Sequence, residues 1–125
     1  MADKYYLNED HSYTPCDLMT WAEQFEHMDR HVGSDMVNDH RVSTVWLGLN
    51  HAYRDNDKPL LFETMVFDKS GSDVFMNRYS TWDEAAIGHA EAINWVKQRG
   101  EQEQLRLQGS EGRGTGEVLT LPILR

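Results

Sequence analysis

The segment from residue 42 to residue 80 most constrains what this chain can fold into, because it holds three β-prone runs separated by short turn clusters. The runs read "VSTVWLGL", "LLFETMVF" and "VFMNRYS", and the clusters between them read "RDNDKP" and "DKSGSD". Apolar, β-branched and aromatic residues bounded by Gly, Pro, Asn and Asp are typical of strands joined by turns. The segment therefore predicts a three-stranded antiparallel β-meander.

An apolar stripe ahead of the meander predicts an N-terminal helix. Its members recur at spacings of three and four: Leu18, Trp21, Ala22, Phe25, Met28 and Val32. We expect Thr14 to cap this helix, Pro15 to lie in its first turn, and Gly33 to end it. Residues 34–41 are polar and are predicted to be a connection.

A second helix is predicted after the meander, where Thr81 and Glu84 form a Thr-x-x-Glu capping box. We expect this helix to end at Gly100. The fold class is then α+β over residues 1–100: an N-terminal helix, a three-stranded antiparallel β-meander, and a C-terminal helix packed on the sheet. Residues 101–125 are rich in Gly, Glu and Gln and end in an apolar stretch, which predicts a flexible tail.

The acidic charge is concentrated in the N-terminal third of the chain. The net charge is −9, and residues 1–40 hold nine acidic side chains against two basic ones, a net of −7. Direct nucleic-acid binding is disfavoured, because neutralising phosphates requires clustered Lys and Arg. Negative charge usually serves solubility alone. The pattern also allows attraction to a basic partner, with Glu23, Glu26, Asp29 and Asp35 as the expected contact residues.

Composition also predicts where the protein works. The single cysteine, Cys16, excludes an internal disulfide and a Cys-based zinc site, and it favours a reducing compartment. The N-terminus lacks an apolar core of signal-peptide length, and no apolar run approaches the roughly 18 residues of a membrane span. We therefore expect a cytoplasmic protein with no membrane contact.

One carboxylate, Glu63, lies within the predicted second strand and needs a partner. If the second hairpin is centred near residues 70–71, Glu63 lies opposite Arg78, Met65 opposite Met76, and Phe67 opposite Val74. A cross-strand ion pair that fixes the register is one interpretation. The other is a ligand pocket for an anion or a nucleotide, lined by Arg54, Glu63, Arg78, Tyr79 and Trp82.

Catalytic motifs are scarce. His89 lies on the apolar side of the second predicted helix, where a core histidine with one satisfied nitrogen is expected. No phosphate loop, dinucleotide fingerprint or deaminase motif is present, so we predict no cofactor, no metal and no catalytic residue. A small enzyme that uses Glu63 or His89 as a general base is the alternative.

Five motifs resemble those of a family of small proteins encoded by tailed bacteriophages, prophages and other mobile elements. They read "YYLNED", "CDLMTWAEQFE", "VSTVWLGLNH", "PLLFETMVF" and "RYSTWDEAAIGHAEAINWV", and the tail after residue 100 departs from the family pattern. The members are catalogued as hypothetical proteins without an established activity. The resemblance implies a provenance and carries over no catalytic residue.

That provenance implies a non-catalytic accessory protein that binds and inhibits a host factor in an infected or lysogenic bacterium. A host defence component is the expected target, such as a CRISPR complex whose basic, nucleic-acid-binding surface attracts an acidic protein. A sponge for a nucleotide signal and a virion or assembly protein are the alternatives. We also expect a homodimer or higher oligomer, because a three-stranded sheet leaves edges and apolar faces to cover.

Overall fold

The computed structural model describes residues 3–52 and 58–112, with two helices and two β-sheets in these ranges. Its elements, in chain order, are β1 (Tyr5–Leu7), β2 (Tyr13–Pro15), α1 (Leu18–His27), β3 (His31–Val37), β4 (His40–Trp46), β5 (Phe62–Phe67), β6 (Asp73–Tyr79) and α2 (Trp82–Gly112). The fold class is α+β, as the sequence predicts. The arrangement differs from the prediction in the number of strands and in what precedes α1.

The main sheet has four antiparallel strands in the order β3-β4-β5-β6, so the prediction of three strands is wrong. The additional strand, β3, occupies residues predicted to be the end of a helix and a polar connection. β3 is an edge strand with mostly exposed side chains, so it lacks the apolar pattern by which strands are recognised. Asn38 and Asp39 join it to β4 with φ angles of 49° and 64°, the left-handed conformation that a tight type I′ hairpin requires.

A two-stranded hairpin, β1–β2, precedes α1 and includes Thr14 and Pro15, which were predicted to open the helix. The helix cap is instead Asp17, whose carboxylate accepts a hydrogen bond from the Thr20 amide at 2.8 Å. At the hairpin tip, His11 has a φ of 73° and its ring stacks on Trp82 at 3.6 Å. This stack joins the hairpin to the start of α2.

The predicted register of the second hairpin is confirmed over most of its length. Glu63 pairs with Arg78 and Met65 with Met76, but Phe67 pairs with Asp73 rather than with Val74. A β-bulge between Val66 and Phe67 causes the difference, since the extra residue on β6 shifts the pairing by one.

Helix α2 packs on one face of the main sheet and contacts all four strands. Val42 and Val66 of the sheet pack with Ala92 of α2 in one fully buried apolar cluster, and Trp46 and Phe62 of the sheet belong to a second. Between the two clusters lies a line of buried polar side chains described below. The opposite face of the sheet has no helix of the described chain packed on it.

The start of α2 is confirmed, and its predicted end is wrong. The Glu84 amide donates to Thr81 Oγ1 at 3.1 Å, and Glu84 Oε1 accepts from the Thr81 amide at 3.2 Å, which completes the capping box. The helix continues through Gly100 to Gly112, since one glycine costs only about 1 kcal/mol in a helix interior. Residues 113–125, the rest of the predicted tail, lie outside the described ranges. No helix in the described ranges combines the length and apolar character that crossing a bilayer requires.

Candidate protein-binding site

Helix α1 is fixed to the rest of the fold by polar contacts more than by burial, because none of its residues is fully buried. Gln24 holds it against strand β1. The Leu7 amide donates to Gln24 Oε1 at 2.9 Å, and Gln24 Nε2 donates to the Leu7 carbonyl at 2.8 Å. The side-chain amide thus pairs with β1 as a neighbouring strand would, and it satisfies two backbone groups at once.

A second anchor connects α1 to the end of β4. Trp21 Nε1 donates to the Leu47 carbonyl at 3.2 Å, and the Trp21 ring stacks on Phe25 at 4.8 Å. The Arg30 guanidinium lies 4.4 Å from the centroid of the Phe25 ring, on which it forms a cation–π contact. These contacts give α1 a fixed orientation before any partner arrives.

An open groove of about 460 Å³ lies between α1 and β1. Its lining residues are Tyr6, Thr20, Glu23, Gln24, His27 and Met28. Tyr6 is 40% exposed and supplies an aromatic wall, and the adjoining Met19 on α1 is 75% exposed. The groove therefore combines apolar surface with a carboxylate at its rim.

The charge of this surface is not neutralised within the described chain. Met19, Glu23 and Glu26 follow one another at helical spacings of four and three on the exposed side of α1. Among the described residues, no Lys, Arg or His lies within ion-pairing distance of either glutamate. Two solvated carboxylates beside exposed apolar side chains suit a basic partner that also buries apolar surface.

The other two predicted contact residues are engaged elsewhere. The Asp29 carboxylate accepts hydrogen bonds from the amide and the ring of His31, and these bonds lower the pKa of Asp29. Asp35 lies on β3 and binds His89 at 2.7 Å. The structure therefore places Glu23 at the groove and Glu26 beside it on the exposed side of α1, and it gives Asp29 and Asp35 structural partners.

We expect Gln24→Ala to lower the free energy of unfolding by about 1–3 kcal/mol, because the two backbone groups of Leu7 would lose their partners in a part-buried site. Amide hydrogens of α1 should also exchange faster. Chemical denaturation and hydrogen exchange measure both effects. Gln98→Ala is the matched control, since Gln98 is exposed on α2. Equal stability of the two variants would contradict the anchoring role.

The predicted Glu63–Arg78 ion pair is confirmed. Arg78 Nε donates to Glu63 Oε2 at 3.1 Å, and the Glu63 side chain is 18% exposed. Both side chains lie on the sheet face away from α2. The carboxylate is compensated by the guanidinium, so the geometry favours the structural interpretation over that of a general base.

The other residues of the predicted ligand pocket do not join this pair. Tyr79 follows Arg78 on the strand and so faces the opposite side of the sheet, against α2, where burial raises the pKa of its hydroxyl. Trp82 packs against Phe62 and is stacked by His11. Arg54 lies outside the described residues. The described residues of the set are thus divided between the two faces of the sheet and form no common pocket.

His89 belongs to a polar chain that crosses the core beneath α2. His89 Nε2 binds Asp35 Oδ2 at 2.7 Å, His89 Nδ1 binds Thr44 Oγ1 at 2.7 Å, and Thr44 Oγ1 binds Thr64 Oγ1 at 2.6 Å. Both ring nitrogens are engaged, where one was predicted. An aspartate, a histidine and a hydroxyl in sequence are also the parts of a nucleophilic relay. Thr44 is fully buried, however, so no substrate reaches its hydroxyl.

The groove residues Tyr6, His27 and Met28 were not predicted as part of a site. Glu23 and Glu26 could be recognised because they lie off the apolar stripe of α1. Tyr6 comes next to them only because Gln24 pairs with Leu7, 17 residues away in the sequence. A local pattern contains no signal for such a contact.

No protein-family model matches the chain, and no match is found among the curated proteins or among the solved structures.

Proposed function

We propose that this protein is a non-catalytic, phage-derived binding protein that inhibits or modulates a host factor through the groove between α1 and β1. The host factor is a protein with a basic surface, most simply a nucleic-acid-binding component of an anti-phage defence. The proposed place of action is the cytoplasm of an infected or lysogenic bacterium. The resemblance of the five sequence motifs supports the provenance.

One observation carries the proposal for the site: Glu23, which lines the groove with Tyr6, and Glu26, next to it on α1, are exposed beside Met19 and have no ion-pair partner among the described residues. A surface that served solubility alone would not need a groove or exposed apolar side chains next to its charges. A basic partner gains both charge attraction and burial of apolar surface here. The charges steer its approach, and the apolar groove slows its dissociation.

The state of the reactive groups supports a binding role over catalysis. Glu63 is compensated by Arg78, and His89 is held between Asp35 and Thr44 in the core. A general base has to reach the proton that it removes, directly or through one water. The Glu63 carboxylate is bound by Arg78 and His89 is buried, whereas Glu23 and Glu26 are exposed.

The test is capture of a partner from a bacterial host lysate with the full chain, in the wild-type form and as Glu23→Lys/Glu26→Lys. We expect wild type to retain one dominant protein that rising salt releases, because surface charges are screened within roughly 8 Å at physiological ionic strength. The charge-reversed variant should lose at least about tenfold of the affinity for that protein.

Glu91→Lys/Glu101→Lys is the matched control, since it changes the net charge equally at exposed positions of α2. It should bind the captured protein as wild type does. Equal loss in both variants would show that only the overall charge matters, and unchanged binding in both would rule out the groove.

A further inference from the structure

No helix of the described residues packs on the face of the main sheet away from α2, and this face is more apolar than a solvated sheet face usually is. One-sided antiparallel sheets normally alternate apolar residues toward the core with polar residues toward water. Here Met36 is 68% exposed and Met76 is 48% exposed, and Val45, Met65 and Phe67 lie half-buried between them. We call this surface the open face. Its residues form three rows that cross the strands.

The middle row carries no charge. It runs through Ser34, Ser43, Met65 and Met76, one residue from each strand, as the pairing register places them. Small side chains fill its half on β3 and β4, and methionines fill its half on β5 and β6. Methionine adapts its shape readily to an opposing surface.

The two flanking rows carry charges of opposite sign at matching places. One flanking row contains Arg41 on β4 and ends in Asp73 on β6. The other contains Val45 on β4 and Glu63 on β5 and ends in Arg78 on β6. The open face therefore has two guanidinium groups and two carboxylates. It is neutral on a chain whose net charge is −9.

We propose that the open face binds a second copy of this chain, with the two-fold axis running along the middle row. This symmetry exchanges the two flanking rows, so that each row faces the other one in the second copy. Each strand then faces the same strand of the second copy. Asp73 then faces Arg78 of the second copy, and Arg41 lies diagonally across from Glu63 of the second copy. Each contact occurs twice, as an isologous interface requires.

Charge favours a second copy as the occupant. Two molecules of net charge −9 repel one another wherever their acidic surfaces meet, and the open face is a neutral surface on which the repulsion is least. The complementary signs also fix one orientation. Two sheets packed in this way lie about 10 Å apart with their strands within roughly 30° of each other.

The size of the face sets the expected strength. Four strands spaced about 4.8 Å apart and about 20 Å long give a projected area on the order of 400 Å². Two such faces give on the order of 800 Å² in total, below the roughly 1,000 Å² that a stable specific interface buries. We therefore expect a dimer that dissociates on dilution, and the groove between α1 and β1 remains free because it lies away from the open face.

Sedimentation velocity of the full chain over about a hundredfold range of concentration tests the proposal. Wild type should shift from monomer to dimer, and Asp73→Arg should weaken self-association at least about tenfold, because it places Arg opposite Arg78 of the second copy. Glu91→Arg makes the same change of charge on the exposed side of α2 and should dimerise as wild type does. Circular dichroism confirms that each variant is folded.

A cysteine probe tests the symmetry. In a Cys16→Ser background, Met76→Cys lies on the two-fold axis at an exposed position, and a short bifunctional thiol reagent should link it to Met76→Cys of the second copy. A monomer at every concentration would overturn the proposal, as would equal dimerisation of Asp73→Arg and Glu91→Arg. A dimer in which Met76→Cys links to Ser34→Cys but not to itself would overturn the assigned axis.

Discussion

Gly88→Ala is expected to lower the free energy of unfolding by about 1–2 kcal/mol, although alanine is the better helix former. Gly88 is buried on the side of α2 that faces the sheet, and an added Cβ would fall inside the contact distance of the Tyr79 ring. Overpacking costs typically 1–3 kcal/mol and sometimes more, while the change from glycine to alanine regains about 1 kcal/mol of helix propensity. Thermal or chemical denaturation measures the net effect.

The same substitution in a Tyr79→Ala background gives the control. Without the ring, the added methyl group meets open space, and only the gain in helix propensity remains. Gly88→Ala should then stabilise the protein by about 1 kcal/mol, so the sign of its effect reverses. A destabilisation of the same size in both backgrounds would contradict the contact between Gly88 and Tyr79.

His89→Ala is expected to cost about 2–4 kcal/mol. The substitution removes a buried ring that packs against Gly33, whose ideal Cβ position lies 2.7 Å from His89 Nε2. It also takes from Thr44 one of its two hydrogen-bond partners in the core, and a buried polar group that loses a partner costs about 1–3 kcal/mol. Chemical denaturation of the folded variant measures the loss.

Asp35→Asn is the comparison, because Asp35 lies at the exposed end of the same series of hydrogen bonds. Asp35 is 52% exposed at its side chain, and asparagine keeps an oxygen that can accept from His89 Nε2. We expect a change within about 0.5 kcal/mol, as for most surface substitutions. If His89→Ala cost no more than Asp35→Asn, the polar chain would have no role in holding β3, β4 and α2 together.

Elements with a local or short-range cause could be predicted from the sequence. The capping box at Thr81 and Glu84 depends on residues three apart, and the Glu63–Arg78 pair follows from one hairpin of known centre. The pairing of Phe67 was mispredicted because counting outward from the turn assumes that neither strand contains an extra residue, and β6 contains a bulge.

Elements that depend on tertiary context were missed. Strand β3 is polar because only one side of it meets the core, and Asp35 faces that side in order to bind His89, 54 residues away. Gly88 lies inside α2, where glycine is unfavourable, and only the structure shows that it admits the Tyr79 ring. Each case joins residues far apart in the chain, which periodicity and propensity do not report.

In the candidate site, too, features with a local cause could be predicted and features that depend on tertiary context could not. The exposure of Glu23 and Glu26 follows from the helical stripe of α1, but the groove beside them exists because Gln24 ties α1 to β1. The two exposed carboxylates could therefore be predicted from the sequence, and the shape of the groove could not.

Hydrogen exchange of the full chain, with and without the protein that it captures, tests most directly whether the groove between α1 and β1 is the binding site. We expect the partner to slow exchange in residues 5–7 and 18–28, with strands β5 and β6 unchanged by its addition. Slowed exchange in β5 and β6 together with unchanged exchange in α1 would contradict the proposal, because it would place the partner on the open face.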